Sequence, residues 1–181
     1  MLKRLENLVD VSMVSQGEAD KVVLFDQNSK TAGILVNGYN GLGLHTLMSV
    51  VKNFGKDFKN FVFFQVGIID AGNFKGNDEM DRLKLTVQKD LDRYVAFMQN
   101  NGYYAEGAWS VGTDVVEELE TLVPGVLTRY PDIVFFAGHL VFQRDTIIDK
   151  LLHNYTVFSI QKSFYLRGIP FMILPIRVVS N

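Results

Sequence analysis

The chain has 181 residues, 48% of them hydrophobic and 21% charged, which suits one domain with a sizeable core. Its formal net charge is -2 with acids and bases interspersed, so there is no basic footprint for a nucleic-acid backbone. Cysteine is absent, which removes disulfides, thiol nucleophiles and cysteine-based zinc sites, and none of the 3 His stands at a metal-ligand spacing from another.

Residues 1–30 read as a lead-in to a single domain at 31–181. The opening MLKRLENLVDVSMVSQGEAD lacks the apolar core of a secretory signal, and KVVLFD (21–26) reads as a short extra edge strand. TAGILVNG (31–38) is the first main strand. The segment 42–54 follows, with Leu44, Leu47, Met48, Val51 and Phe54 at helical steps. NFVFFQVGII (60–69) is the second strand, and 78–100 is a helix whose stripe runs through Met80, Leu83, Val87, Leu91, Tyr94, Val95 and Met98, stopped by Gly102. YYAEGAWSVG (103–112) is the third strand. The helix 114–129 has Thr113 or Asp114 as its cap, and Pro124 predicts a kink or break within it. DIVFFAGHLVF (132–142), a helix at 145–166 and PFMILPIRVV (170–179) complete the pattern. No apolar run reaches the ~20 residues that span a bilayer.

The alternation β-α-β-α-β-α-β-α-β implies right-handed crossovers and a parallel sheet. The expected fold is α/β: a doubly wound open five-stranded sheet of order 3-2-1-4-5 with helices on both faces. Ligands in such folds bind outside the carboxyl ends of the strands, at the switch point between strands 1 and 4. Four loops meet there. NGYNGLGLHT carries Asn37, Gly38, Asn40, Gly41 and Gly43 into a helix N-terminus, where free N–H groups favour an anion. Its G-x-x-G-x-G spacing is neither a dinucleotide fingerprint nor a P-loop, so a strand-to-helix turn is the first reading and an anion cradle the second. His45 suits either.

IDAGNFKGNDE brings Asp70, Asn73 and Lys75, with Asp70 either meeting a ribose hydroxyl or capping its own turn. SVGTDVVEE brings Thr113 and Asp114, and AGHLVFQRDT brings His139, Gln143 and Arg144. His139 directly follows a buried strand and is read as either structural or catalytic; His153 is read as mid-helix. No nucleophile constellation emerges, since Ser110, Ser159 and Ser163 lack a G-x-S-x-G setting. No catalytic residue and no metal ligand are assigned.

The blocks NGYNGLGLHTL, FKNFVFFQVGIIDAGNFKG, VGTDVVEELE, PDIVFFAGHLVFQ and LLHNYTVFSIQ…GIPFMILPIRV resemble the cytoplasmic C-terminal domain of bacterial amino-acid permeases of the amino acid–polyamine–organocation superfamily. The resemblance implies an excised regulatory or interaction domain on the cytoplasmic side of the inner membrane. Its partner would be the transmembrane part of the same transporter, with LKRLENLVDV leading out of the membrane. The five-strand alternation is also similar to the universal stress protein fold. That family's nucleotide binders carry G-x-x-G-x9-G-(S/T), and Gly138 in AGHLVFQRDTIIDKLLHNYTVFS has no such glycine partners.

Three functions follow as expectations. The first is a transporter regulatory domain, with no cofactor required and a nucleotide or small anion as candidate ligand at the carboxyl ends. The alternative is a nucleotide-binding protein of universal-stress type; a small hydrolase using His139 with Asp70 or Asp114 comes last. A homodimer through the edge strand 170–179 is also expected as an option, unless KVVLFD covers that edge.

Overall fold

The computed structural model describes residues 23–70, 72, 76–142 and 155–178. Among them are five strands, β1 (Lys30–Leu35), β2 (Phe58–Ile68), β3 (Tyr104–Gly112), β4 (Ile133–Phe142) and β5 (Phe171–Val178). Four helices alternate with them: α1 (Gly41–Phe54), α2 (Asn77–Asn100), α3 (Val115–Arg129) and α4 (Tyr155–Leu166). All strand pairs are parallel and the order is β3-β2-β1-β4-β5, as the alternation predicts.

The continuous apolar runs are explained by burial on both faces. Successive side chains of β2 alternate sides, so Phe61 and Phe63 join α1 and α2 through Leu47, Val50, Leu91 and Tyr94. Val62 and Phe64 join α3 and α4 through Leu119, Val123, Ile160 and Phe164. Phe61, Phe63, Phe64, Phe135 and Phe136 are each at most 1% exposed. At about 1.5–3 kcal/mol per fully buried side chain, this aromatic layer contributes on the order of 10 kcal/mol of burial on the two faces of the sheet.

Two sequence expectations change. First, Val23–Asp26 does not form an edge strand. The Asp26 N–H donates to Asn60 Oδ1 at 2.9 Å, and Asn60 Nδ2 donates to the carbonyls of Asp26 (2.7 Å) and Ser29 (3.1 Å). Asn60 is fully buried, and this one amide satisfies the backbone N–H and carbonyl of Asp26 and the carbonyl of Ser29. Phe25 packs on Tyr104 and Tyr130 with ring centroids 5.4 and 5.3 Å away. The described lead-in therefore latches to the amino ends of β2 and β3 and does not cover β5.

Second, Pro124 does not break α3. Proline leaves the carbonyl four residues back without a donor. Arg167 supplies one: its Nη1 donates to Glu120 O at 3.5 Å while Nη2 pairs with Glu120 Oε2 at 2.9 Å. Ser163 Oγ donates to Glu120 Oε1 at 2.6 Å. We expect Arg167→Ala to cost about 1–2 kcal/mol in chemical denaturation, more than an exposed ion pair is worth, because a helix carbonyl loses its donor as well.

The edge strand β5 carries a proline at its free side. The Phe135 N–H donates to Pro170 O, so alternate residues Met172, Leu174 and Ile176 turn their backbone groups toward β4. Pro175 then stands with its nitrogen toward the free edge and removes one donor from it. Of the last helix, 145–154 lies outside the described residues.

Burial pushes the hydroxyls of Tyr94, Tyr104 and Tyr130 above the ordinary tyrosine value of 10.0. For Tyr130 the hydrogen bond and charge of Glu106 add to burial. A group whose folded pKa is raised keeps its stabilising contribution below the unfolded pKa and loses it above. Melting temperature should accordingly hold steady from pH 8 to 9.5 and fall as pH rises beyond about 10, as calorimetry at stepped pH will show.

Candidate functional site

The loop after β1 is built as a turn. Val36 N–H still bonds Phe64 O at 2.9 Å, then Asn37 leaves the sheet and Gly38 takes φ +83°, which favours glycine. Asn40 caps α1: its Oδ1 accepts from Gly43 N at 3.1 Å and its Nδ2 donates to Asn37 O. Gly41 and Gly43 are buried in the first turn of α1. A Cβ on Gly43 would fall on the Tyr94 hydroxyl, which itself donates to Gly38 O at 3.1 Å. The glycines thus serve the turn and the approach of α2, the first of the two readings. Both side-chain polar groups of Asn40 are spent within the loop.

The other loops are similarly local. Asp70 Oδ1 accepts from Gly72 N at 3.0 Å, closing its own turn. Asp114 caps α3, accepting from Val116 N (2.7 Å) and Glu117 N (3.0 Å), while Thr113 is exposed beside it. Asn73, Lys75, Gln143, Arg144 and His153 lie outside the described residues. His45 is half-buried in α1. His139 lies within β4, on the face that carries α4, its ring edge-on to Phe158 with centroids 5.4 Å apart.

The register separates these groups. Asp70 and Asp114 follow β2 and β3, while His139 is on β4 with β1 between, so His139 is two to three strand spacings, on the order of 10–14 Å, from either acid. Among the described residues no three His, Asp or Glu side chains form a metal-binding group.

What distinguishes the carboxyl ends is unpaired polarity. Three buried atoms have no partner among the described residues: Gln65 Oε1, Ser110 Oγ and His139 Nε2. All three lie in the carboxyl-terminal halves of their strands. At the amino ends the polar side chains are paired: Asn60 as above, and Tyr104 OH donates to Glu106 Oε2 at 2.8 Å and stands 3.4 Å from Tyr130 OH. Arg129 Nη1 donates to Glu106 Oε1 at 3.1 Å, and Nη2 pairs with Oε2 at 2.9 Å.

Ser110 and His139 share the α3/α4 face, as the alternation from Ala108 and Phe135 requires. Between them the same face presents Val66, Ile68, Leu35 and Ala137; Ile68 is 47% exposed. Gln65 is on the opposite face, toward α2. Sequence reading missed Gln65 and Ser110; a lone amide inside FVFFQVGI was the available signal. Two grooves of about 500 and 350 Å³ border α4, one toward the start of β5 (Phe158, Tyr165, Phe171) and one toward Glu120 of α3, and none of Gln65, Ser110 and His139 lines either.

No protein-family model matches the sequence, and no curated protein sequence matches it. Among solved structures the fold is similar to the universal stress protein UspA from Lactobacillus plantarum, with a TM-score of 0.48 and 12% identity over 84% of this chain and 100% of that one. At that level the likeness carries no functional argument. The five-stranded parallel order rests on the strand pairing of this chain itself.

Proposed function

We propose that this chain is a ligand-sensing domain that holds a nucleotide across the carboxyl ends of β3, β2, β1 and β4 on the α3/α4 side. The observation that supports the reading is the pair of orphaned polar atoms, Ser110 Oγ and His139 Nε2, at opposite ends of an apolar floor. Three strand spacings put them about 14 Å apart. An elongated ligand with a flat apolar ring and polar ends matches that layout, and a compact anion does not. The place agrees with the rule that open α/β sheets bind ligands at the switch point.

The test is thermal denaturation with ATP, AMP, adenosine, free amino acids and sulfate. A nucleotide at about 100 times its Kd stabilises the native state by ~2.7 kcal/mol. For a chain of this size that is a rise of roughly 5–10 °C. His139→Leu should leave the ligand-free protein as stable as before, because Nε2 gives up no bond, and should weaken nucleotide binding at least tenfold. No shift with any nucleotide at millimolar concentration overturns the reading.

The second reading, a regulatory domain of an amino-acid transporter, draws on the resemblance of the sequence blocks and on the latch at Phe25, Asp26 and Asn60. That latch ties the lead-in to the end of the sheet opposite the ligand, a layout suited to passing a bound state onward. The genomic sequence upstream of Met1 tests it. A membrane-bundle coding region in the same reading frame supports the reading; a stop codon there removes it.

A further inference from the structure

The face of the sheet opposite Ser110 and His139 carries a separate cluster, built by the end of β2, the Gly38 turn and the middle of α2. Gln65 is 6% exposed. Its Nε2 donates to Asp90 Oδ2 at 3.4 Å, and its Oε1 has no partner among the described residues. Asp90 Oδ2 also lies 3.5 Å from the point where a Cβ on Gly38 would stand, so amide, carboxylate and turn are adjacent. Asp90 is half-buried, which opens the cluster to solvent on that side. Tyr39, next to Gly38, packs on Tyr94 with ring centroids 4.7 Å apart, and the Arg93 guanidinium lies 3.6 Å over the Tyr39 ring.

The sign of the missing group follows from these atoms. A helix N-terminus by itself favours an anion. Here Asn40 already accepts from the Gly43 N–H, and the Asp90 carboxylate beside the turn repels negative charge. The acceptor capacity that remains is that of Gln65 Oε1 and of the half-buried Asp90 carboxylate, whose Oδ2 takes one bond from Gln65 Nε2. Their complement is a positively charged donor with several N–H bonds, small enough to enter between Gly38 and α2. An ammonium group has three such donors on one compact atom, which a planar guanidinium does not.

We propose that Gln65 and Asp90, beside the Gly38 turn, bind the primary ammonium group of a small molecule, with Tyr39 and Arg93 at the rim. This site is distinct from the nucleotide face and does not depend on it. A buried water bonded to Gln65 Oε1 is the competing occupant, and the experiment separates the two.

The full chain is titrated with ethanolamine, glycine, acetate and potassium chloride, following melting temperature and binding heat. The expected result is saturable binding of ethanolamine or glycine and none of acetate or potassium. Asp90→Asn should weaken that binding at least tenfold. Gln65→Met keeps the side-chain length and removes the unpartnered acceptor. It should melt no lower than the parent without ligand and lose the ammonium-dependent shift. Absence of saturable binding by either amine, or equal binding by Asp90→Asn, overturns the proposal and leaves water as the occupant. Should Gln65→Met fail to fold, the Asp90→Asn comparison alone decides.

Discussion

Gly43→Ala lowers the stability of the ligand-free protein by about 2–3 kcal/mol, the upper part of the range for overpacking a tight contact. The added methyl would fall on the Tyr94 hydroxyl. That ring has no room to retreat, because it is fully buried and stacked on Phe63, with centroids 4.9 Å apart and planes 15° from parallel. Moving it also breaks the bond to Gly38 O that holds the turn. Urea denaturation of Gly43→Ala, Tyr94→Phe and the double variant closes a cycle. Deleting the hydroxyl in the Gly43→Ala background should recover about 1 kcal/mol. If Gly43 served only a phosphate, its substitution would leave ligand-free stability within about 0.5 kcal/mol of the parent, as for surface changes remote from special features.

Phe135→Ala should cost about 3–5 kcal/mol, the range for emptying a buried aromatic site. Phe135 is fully buried at the centre of the α3/α4 face, 5.2 Å from the Phe64 ring and edge-on to Phe164 at 4.9 Å. Phe164 in turn lies edge-on to Phe171 at 5.3 Å, so one truncation loosens the row that seats α4 on β4 and β5. Phe158 belongs to the same helix and abuts His139. Amide exchange in α4 should therefore accelerate more than in α2, whose contacts are on the other face. Uniform acceleration in both helices would show that the two faces unfold as one unit and that this row has no local role.

The architecture was legible because burial on both faces leaves a mark that needs no tertiary information. NFVFFQVGII and DIVFFAGHLVF are nearly continuous apolar runs, and helical stripes separate them. Alternation and crossover handedness pointed to an open doubly wound sheet, and the order expected among the natural ones, 3-2-1-4-5, is the one found. Local chemistry was legible too: Asp114 caps its helix and Asp70 its turn, both through bonds to residues two or three positions on.

What escaped reading depends on distant partners. Gly43 is decided by Tyr94, which arrives from the next helix. Pro124 looked like a break, yet the helix runs through it, and the donor to the Glu120 carbonyl comes from Arg167, 47 residues away. KVVLFD looked like a strand because its composition suits one, yet its described part, Val23–Asp26, forms none, and Asn60 holds the backbone of Asp26. Ser110 and Gln65 carried no motif, since what marks them is a missing partner, and that is visible only once the neighbours are in place.

The most direct test of the nucleotide reading is a titration of the isotope-labelled chain with AMP, followed residue by residue by amide NMR. The account predicts saturable shifts concentrated at Asn37, Val66, Gly67, Ile68, Ser110, Val111 and His139, with Asn60 and Tyr104 at the amino ends unmoved. Shifts clustered at the amino ends or along the outer grooves of α4, or no saturable shift at millimolar AMP, would contradict it.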